Sequence, residues 1–430
     1  MTAEKNMQNK PLVTVRFETM ALGGKAKGTA VDCDRPLAVF APFAAPGDLA
    51  RVRIESVVKR YAEAEIIEIL EPSNLRTAPV CEYFGRCGGC NWQHLRYEEQ
   101  LRQKSEIVNY VMGRNGLPGD VLRNCHPSNR PLGYRIRADL SFVKTGDGIV
   151  GGFLMPRSHD PVDIGHCPLM VPRLSEAMPR IKKAVARWAA EVPTNHLFRV
   201  RIVTDPAAEN ILVSPKLGGA LRNIVQGMFV LRGEVLEPAR NPLLHYTIQG
   251  MRIAFDPDCF TQVNLETNEE LVDHAIQCVD PQPSDEILEL YGGIGNFTFP
   301  LASKAKHVTA VESAKGSARF AKSNAETNKI GNVTHIAADA QGACRRFARS
   351  GRRFTKVLVD PPRSGMGEQA VMALCALEPS RIVSVSCHPN TLAKDLKLFR
   401  FRGYEIESME GFDMFGQTFH VETVTVLRKA

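Results

Sequence analysis

The alternation of apolar and polar positions changes character twice along the chain. In the first part, short runs such as VTVRF and ARVRIESVV alternate apolar with polar residues, and glycine and proline turns separate them. Several short strands at this spacing are typical of a small all-β barrel. Pro72 and the polar loop after it end the pattern, so we predict a barrel domain over residues 1–72.

The middle of the chain combines one clear helix with several strands. Residues 94–114 place leucine and valine on a helical stripe opposite a charged face. Strand-like segments such as YRIRADLSFV and FRVRIVTD follow, with a helical stretch near residues 173–192 between them. This pattern predicts an α+β domain with an antiparallel sheet over residues 73–260.

From about residue 265, strands and helices alternate regularly. The strands EILELY, HVTAVE, THIAAD, KVLVD and RIVSVS are each followed by a helical segment, and two further strands end the chain. This alternation predicts a parallel, doubly wound α/β sheet of the Rossmann-like kind. We therefore predict a multidomain protein whose last domain covers residues 261–430.

Composition narrows the class and the compartment. Hydrophobic residues make up 44% of the chain and charged residues 23%, which is typical of soluble globular proteins. No apolar run approaches the ~20 residues that span a bilayer, and the N-terminus lacks the apolar segment of a signal peptide. We predict a cytoplasmic protein without membrane contact. Thiols stay reduced there, so clustered cysteines indicate metal binding or catalysis.

The net charge of +7 is concentrated in the middle of the chain. Residues 76–137 carry 10 Lys and Arg against 5 Asp and Glu, and residues 173–232 carry 10 against 4. Residues 1–75, by contrast, carry 10 of each sign. A solvated basic face and an RNA-binding surface explain this excess about equally well.

A glycine-rich turn follows the strand EILELY. Gly292, Gly293 and Gly295 let the backbone turn tightly and approach a ligand closely, although the third glycine of the dinucleotide fingerprint and a Walker lysine are missing. The next three strands end in carboxylates, at Glu312, Asp339 and Asp360. Ligands bind at this edge of open α/β sheets, and a carboxylate there can accept bonds from ribose hydroxyls. We predict a site for a nucleoside-containing cofactor.

Three of the eleven cysteines cluster as Cys81-x5-Cys87-x2-Cys90 in a polar, glycine-rich segment. Three close thiolates need a fourth ligand to complete a tetrahedral zinc site or a four-iron cluster. Cys167 in G-H-C-P is the best candidate for it. Other cysteines compete for that place: Cys33, in the barrel pattern, Cys125, in a predicted loop, and Cys259.

Cys387 follows the strand RIVSVS and therefore lies on the same sheet edge as the glycine loop. Pro389 cannot continue the strand, so the chain turns and can present the thiol to a substrate. Glu422 lies at the start of an apolar strand. A general base with a raised pKa and an ordinary surface glutamate explain a carboxylate at that position equally well. The remaining cysteines fall in helical patterns typical of the core: Cys278, Cys344 and Cys375.

These motifs together resemble the RNA uracil-C5 methyltransferases that use S-adenosylmethionine, over almost the whole chain. The barrel resembles a TRAM domain, an OB-like RNA-binding module, and C-x5-C-G-G-C with Cys167 matches the ligands of a [4Fe–4S] cluster. F-T-Q-V-N at 260–264 matches a cofactor-binding segment carried by Gln262, and S-C-H-P resembles the nucleophile motif S-C-N-P. Glu422 falls on the general base. The other implied cofactor positions are Tyr291, Gly292, Gly295, Asn296, Glu312, Asp339 and Asp360.

The resemblance implies a mechanism and a partner. Cys387 would add to C6 of a flipped uridine, C5 would take the methyl group, and Glu422 would remove the C5 proton. The transfer-RNA relatives generally lack the barrel and the cysteine cluster, so 23S rRNA is the favoured target. We expect a monomer without an obligate protein partner.

The chain departs from the family pattern at a few positions. Gly292 stands where the glycine loop commonly has cysteine, His388 replaces the usual asparagine, and Asp339 is asparagine in some relatives. Two alternatives stay open: a transfer-RNA uracil-C5 methyltransferase, or an RNA-binding protein with a non-catalytic methyltransferase domain. A cytosine-C5 enzyme usually has Pro-Cys where this chain has Ser386, and an amino-group methyltransferase has D-P-P-Y where it has Arg363.

Overall fold

The computed structural model describes residues 10–32, 36–59, 61–206, 210–216, 227–240 and 242–430. Cys33 lies outside the described residues. Two compact units divide the chain. The first comprises the described residues up to Ile107 with two short later segments, Leu154–His159 and Gln417–Phe419. The second comprises the remaining segments: Val108–Phe153, Asp160–Gly416 and His420–Ala430.

A five-stranded closed barrel forms the larger part of the first unit. Its strands are β1 Leu12–Met20, β2 Ala26–Ala30, β3 Ala38–Ala41, β4 Leu49–Val58 and β5 Tyr61–Glu71. They close in the order β1-β2-β3-β5-β4, because β4 pairs back onto β1. Alternate residues such as Val15, Phe17 and Val52 fill the interior. The predicted N-terminal barrel is thus confirmed, with β2 added, whose sequence AKGTA lacks strong β formers.

The segment after the barrel packs onto it without regular strands. Trp92 is fully buried with the barrel core, and its indole N–H donates to the carbonyl of Gly24 at 3.1 Å. A long helix, α1 Tyr97–Arg114, follows, and the division between the two units falls inside it. The aromatic anchor explains why this polar segment holds a defined course.

The second unit contains the antiparallel sheet predicted for the middle of the chain. Its strands are β7 Arg137–Thr145, β8 Gly148–Gly152, β9 Leu197–Thr204, β10 Ile211–Lys216, β11 Phe229–Arg232 and β12 Val235–Pro238. They run in the order β12-β11-β10-β9-β7-β8. Helices α2 Pro172–Glu176 and α3 Met178–Trp188 with a 3-10 turn at Ala189–Glu191 precede β9, and the hairpin β13 Leu244–Ile248 and β14 Met251–Phe255 follows β12.

An eight-stranded sheet dominates the second unit. Its strands are β6 Leu122–His126, β15 Glu286–Leu290, β16 His307–Glu312, β17 Val333–Ala337, β18 Lys356–Val359, β19 Arg381–Ser386, β20 Tyr404–Phe412 and β21 Glu422–Lys429. The order is β17-β16-β15-β18-β19-β21-β20-β6. Strands β15 to β19 are parallel, as predicted, and β21 pairs antiparallel with β19. Their central residues are fully buried, which explains their near-continuous apolar runs.

Helices connect the parallel strands in the doubly wound arrangement. They are α4 Leu265–Val279, α5 Thr298–Ala302, α6 Lys315–Thr327, α7 Ala340–Arg349, α8 Glu368–Cys375 and α9 Pro389–Phe401. Cys278, Cys344 and Cys375 lie on these helices, and the last two are buried. Across the ranges that the structure describes, no helix is both long and apolar enough to span a bilayer.

One sequence prediction about an element is wrong. Cys125 was expected in a loop but lies on β6, which pairs in parallel with β20 at the edge of the large sheet. The sequence LRNCH shows no clean alternation because Leu122 and Cys125, three positions apart, are the buried residues. A chain segment before the antiparallel sheet therefore forms the edge strand of the eight-stranded sheet.

Candidate active site

The carboxyl ends of the five parallel strands gather the chemistry of the second unit at one sheet edge. Each strand is followed at that edge by a side chain singled out above, with Tyr291 after β15, Glu312 at the end of β16, Asp339 after β17, Asp360 after β18 and Cys387 after β19. Parallel strands place their carboxyl ends on one side, so residues up to 96 positions apart in sequence lie along one sheet edge.

The glycine loop after β15 is braced by Glu312. One carboxylate oxygen accepts the N–H of Gly293 at 3.0 Å, and the other accepts the N–H of Ala314 at 2.6 Å. The Ser313 hydroxyl also donates to this carboxylate, at 3.3 Å. A carboxylate has about four acceptor positions, so capacity for a ligand hydroxyl remains. Gly295 has a φ of 109°, and a Cβ there would lie 2.2 Å from the ring of Phe299. Only glycine fits that position without a shift of the loop.

A cavity of about 230 Å³ lies beside this loop and is lined by Tyr291, Asp339, Gln341 and Met366, among others. Tyr291 has a φ of 65°, a left-handed conformation that is strained for a tyrosine. Such strain concentrates at functional sites. Asp339 also caps α7, because its carboxylate accepts the N–H of Gly342 at 2.7 Å. The same aspartate thus shapes the helix start and one wall of the cavity.

Cys387 and Glu422 meet through the antiparallel pairing of β19 with β21. Ser386 pairs with Thr423, whose hydroxyl donates to the Ser386 carbonyl at 3.1 Å. Cys387 follows Ser386 and Glu422 precedes Thr423, so the two residues flank this last pair of the register. The Glu422 carboxyl is close enough to act electrostatically on the Cys387 thiol. The structure therefore brings the thiol and the carboxyl together across 35 residues of sequence.

Burial keeps protons on this pair in the ligand-free protein. Burial, with smaller contributions from the Glu422 and Asp360 carboxyls, raises the pKa of the Cys387 thiol to about 12. Burial also raises the pKa of Glu422 well above its usual value, and that of Asp360 to about 7. The nearby Arg363 cation opposes both the Cys387 and the Glu422 shifts. A carboxyl held this way becomes a strong base once it is ionised.

Arg363 is a residue that sequence reasoning treated only as a missing aromatic. Its guanidinium lies 3.0 Å from Nδ1 of His420, and its carbonyl accepts the Thr391 hydroxyl at 3.1 Å. Buried Asp395 fixes the same loop by accepting the N–H of Met366 at 2.8 Å. The loop after β18 thereby holds the Arg363 cation near the Cys387 thiol. In the sequence, the arginine that ends D-P-P-R was the feature that could have indicated this role.

Glu289 is a second residue that the sequence reasoning missed. It lies within β15, fully buried beneath the glycine loop. Burial raises the pKa of its carboxyl, the Thr298 hydroxyl partly offsets this, and the charges of Asp360 and Glu312 reinforce it, so that the pKa is about 8. A Cβ at Gly292 would lie 3.4 Å from the Glu289 carboxyl carbon. An acidic residue inside the apolar run EILEL was the signal.

Basic side chains of the antiparallel sheet hold the segment that leads to Gln262. Arg137 on β7 donates to the carbonyl of Cys259 at 2.5 Å, and Arg201 on β9 donates to the carbonyl of Pro257 at 3.0 Å. Lys216 on β10 pairs with Asp258. Gln262 itself is buried. The segment of the predicted cofactor-binding glutamine is thus fixed from three neighbouring strands.

The structure does not support the predicted metal centre. Cys81, Cys87 and Cys90 lie in the first unit and Cys167 in the second. In the described parts of the chain, no group of three or more His, Cys, Asp or Glu side chains is arranged to hold a metal ion. The Sγ atoms of Cys87 and Cys90 accept N–H bonds from Gly89 at 3.5 Å and Gln93 at 3.2 Å, respectively. Thiolates are drawn together by the metal they bind, because metal binding supplies the energy that orders the site. The cluster ligands Cys81, Cys87, Cys90 and Cys167 therefore remain a prediction from the sequence.

Comparison with known sequences gives a consistent result. The family described as tRNA (Uracil-5-)-methyltransferase matches residues 243–430. The 23S rRNA (uracil(1939)-C(5))-methyltransferase RlmD of Aliivibrio fischeri is 31% identical over 406 residues, covering 91% of this chain and 91% of that protein. RlmD of Vibrio parahaemolyticus is 30% identical over 404 residues with the same two coverages.

Comparison with solved structures agrees at the level of the fold. The tRNA (uracil-54, C5)-methyltransferase of Pyrococcus abyssi, solved with S-adenosyl-L-homocysteine, matches with a TM-score of 0.70 and 26% sequence identity. The match covers 96% of this chain and 100% of that one.

Proposed function

This chain belongs to the RNA uracil-C5 methyltransferase family, and from that premise we propose that it forms 5-methyluridine in 23S rRNA, with Cys387 as nucleophile and Glu422 as base. It is an S-adenosylmethionine-dependent RNA methyltransferase. The observation that carries the proposed chemistry is the proximity of Cys387 and Glu422, beside the Ser386–Thr423 pair, at the sheet edge that also holds the glycine loop.

The proposed reaction uses the thiol because C5 of uracil is a weak nucleophile. The Cys387 thiol loses its proton to solvent, its sulfur bonds to C6, and the C5–C6 double bond opens, which places electron density on C5. S-adenosylmethionine supplies an electrophilic methyl group when bound. C5 would then take the methyl group, and S-adenosyl-L-homocysteine would leave. Glu422 takes the proton from methylated C5, the C5–C6 double bond re-forms, and the bond between Cys387 and C6 breaks. The uridine must leave its stack to reach the thiol, so base flipping is part of the proposal.

The cofactor positions are proposed on the same basis. Glu312 would accept the ribose hydroxyls, and the cavity beside Tyr291 and Asp339 would take the adenine. The other positions that we propose to contact S-adenosylmethionine are Gln262, Gly292, Gly295, Asn296 and Asp360. At Gly292 a Cβ meets its neighbours at 3.4 Å, so the cysteine common in relatives is compatible with this loop.

The target RNA rests on the sequence relatives rather than on domain content. The barrel was expected to separate ribosomal from transfer-RNA enzymes, but the P. abyssi transfer-RNA enzyme matches 96% of this chain. The relatives that are 30–31% identical are named for uracil 1939 of 23S rRNA. We therefore propose 23S rRNA as substrate and keep transfer RNA as the second candidate. A monomeric state and cytoplasmic location remain predictions.

A direct assay separates the two substrates. We expect the protein to transfer labelled methyl groups to unmodified 23S rRNA and to leave unmodified transfer RNA unlabelled, with 5-methyluridine as the product by mass spectrometry. Labelling of transfer RNA alone would reverse the assignment. Product at cytosine, or no product in either RNA, would contradict the proposed function itself.

Removing the Arg363 cation should shift covalent addition to higher pH. The cation lowers the pKa of the Cys387 thiol, so Arg363→Met raises that pKa and reduces the thiolate fraction at a given pH. We expect adduct formation to slow about three- to tenfold near neutral pH and to recover in alkaline solution. The measurement is the rate of adduct formation with RNA that contains 5-fluorouridine.

Arg363→Lys is the control, because it keeps the charge and should leave the pH profile near that of the wild type. A slowing that is equal at all pH values in Arg363→Met would indicate lost RNA contact instead of an effect on the thiol.

The iron–sulfur cluster is proposed from the sequence resemblance alone. If Cys81, Cys87, Cys90 and Cys167 bind it, protein purified without oxygen should be brown and contain about four iron atoms and four sulfide ions per chain. Cys87→Ala should lose both, whereas Cys278→Ala, a thiol on α4, should keep them. Elemental analysis and the visible absorption spectrum measure this. A colourless protein with one zinc ion would contradict the cluster.

A further inference from the structure

The side-chain amide of Asn296 is held by two partners that no sequence motif indicated. Its oxygen accepts the hydroxyl of Tyr246 at 3.0 Å and an N–H of Asn268 at 2.9 Å, and its nitrogen donates to the oxygen of Asn268 at 2.9 Å. Tyr246 is on β13 and Asn268 is in the first turns of α4. Both partners are almost completely buried. The glycine loop is thereby tied to the helix that follows the Gln262 segment.

Counting hydrogen-bond capacity shows what Asn296 can still do. An amide oxygen has two acceptor positions, and both are filled. An amide nitrogen has two donors, and one is filled; in the described residues, its second N–H meets no protein acceptor. Burial raises the pKa of Tyr246, so its hydroxyl stays protonated and keeps donating. A ligand of Asn296 must therefore accept a hydrogen bond.

The chemistry of the methyl donor indicates which of its groups accepts the second N–H of Asn296. Its ribose hydroxyls match the acceptor carboxylate of Glu312, and its ammonium group can only donate. Its carboxylate is the strong acceptor left, and a bond from an amide N–H to a carboxylate is charge-assisted. Asn296 directly follows Gly295, in the glycine loop whose backbone can approach a ligand closely.

We propose that Asn268 and Tyr246 are positioning residues that fix the Asn296 amide so that its second N–H binds the carboxylate of the methyl donor. The inference rests on the proposed function, because it takes S-adenosylmethionine as the ligand of this edge. Neither residue touches the reacting atoms. Without them the Asn296 amide can rotate, and part of the binding energy is spent on ordering it.

The test is a binding cycle that needs no RNA. Isothermal titration compares S-adenosyl-L-homocysteine with its decarboxylated analogue on wild type, Tyr246→Phe and Asn268→Ala. We expect the wild type to bind the decarboxylated analogue about tenfold more weakly, the size expected for one hydrogen bond to a charged group. In both variants that preference should largely disappear, because the variant and the missing carboxylate remove the same bond.

Tyr404→Phe is the matched control. Tyr404 is equally buried, and its hydroxyl donates to the carbonyl of Pro379 at 2.9 Å, before β19, at the opposite edge of the sheet. The Tyr404→Phe variant loses one buried hydroxyl hydrogen bond, as Tyr246→Phe does, so the two variants should unfold at similar temperatures. Tyr404→Phe should nevertheless keep the preference for the ligand that has the carboxylate. With RNA present, Tyr246→Phe should raise KM for S-adenosylmethionine more than it lowers kcat.

The outcomes distinguish the two levels of the proposal. Unchanged carboxylate preference in folded Tyr246→Phe, or equal loss in Tyr404→Phe, overturns the positioning role and leaves the proposed function intact. A wild type that binds no S-adenosyl-L-homocysteine overturns both. Preference lost in Tyr246→Phe and Asn268→Ala but kept in Tyr404→Phe supports the inference.

Discussion

Cys387→Ala should abolish methyl transfer while leaving the fold and cofactor binding intact. The side chain is half-buried at the end of β19, so its loss removes the atom that bonds to C6 and little packing. Removing the nucleophile of a covalent mechanism costs on the order of 10⁴-fold or more in rate. Labelled methyl transfer to 23S rRNA measures the rate, and S-adenosyl-L-homocysteine binding reports on the fold of the site.

The same variant should also fail to form a covalent complex with RNA that contains 5-fluorouridine. With fluorine in place of hydrogen at C5 there is no proton for the base to remove, so the wild-type protein–RNA adduct persists. It migrates as one band under denaturing conditions. Cys278→Ala is the control, because burial raises the pKa of that thiol also, to about 11, yet it lies on α4. Residual turnover near the wild-type rate in Cys387→Ala would remove the thiol from the mechanism.

Glu422→Gln should separate the two halves of the reaction. The amide keeps the shape of the carboxyl but cannot take the C5 proton, so overall turnover should fall about 10²- to 10⁴-fold. Methyl transfer to C5 precedes that step, so a covalent protein–RNA complex that carries the labelled methyl group should accumulate on ordinary uridine. Denaturing electrophoresis with labelled S-adenosylmethionine detects it.

Glu422→Gln should also change the pH dependence of adduct formation. Where Glu422 is ionised, its charge raises the pKa of the Cys387 thiol. In that pH range the glutamine lowers the thiol pKa, so adduct formation should extend to lower pH than in the wild type. The double variant Cys387→Ala/Glu422→Gln controls for nonspecific cross-linking and should show no band. Fast release of methylated RNA by Glu422→Gln would assign the base to another group, with Asp360 the nearest candidate.

The arrangement explains how one edge can serve both a thiol and a base. Burial makes the charged forms of Cys387, Glu422 and Asp360 costly together, and each carboxylate adds to the cost of the thiolate. Arg363 is the cation that opposes this. We therefore expect the proton distribution among these groups, rather than any one pKa, to set the pH at which the protein works.

Much of the fold could be predicted from local patterns. Alternating strands identified the barrel, and the β–α alternation after residue 265 identified the parallel sheet, because these patterns follow from the burial of one or both strand faces. The strand AKGTA was missed because alanine, lysine and glycine are poor β formers. The pattern of LRNCH could not reveal that β6 joins the far edge of the large sheet, since edge pairing leaves little periodic signal.

For the site, the sequence by itself determined which residue types end each strand: the glycine loop, Glu312, Asp339, Asp360 and the thiol of Cys387. Strand direction in a parallel sheet places such ends together, so their common edge followed from local patterns alone. Only the tertiary structure decided the rest, because it depends on register between distant segments. The antiparallel pairing of β19 with β21 brought Glu422 near Cys387, loop packing set Arg363 beside both, and the Tyr246 and Asn268 contacts fixed Asn296.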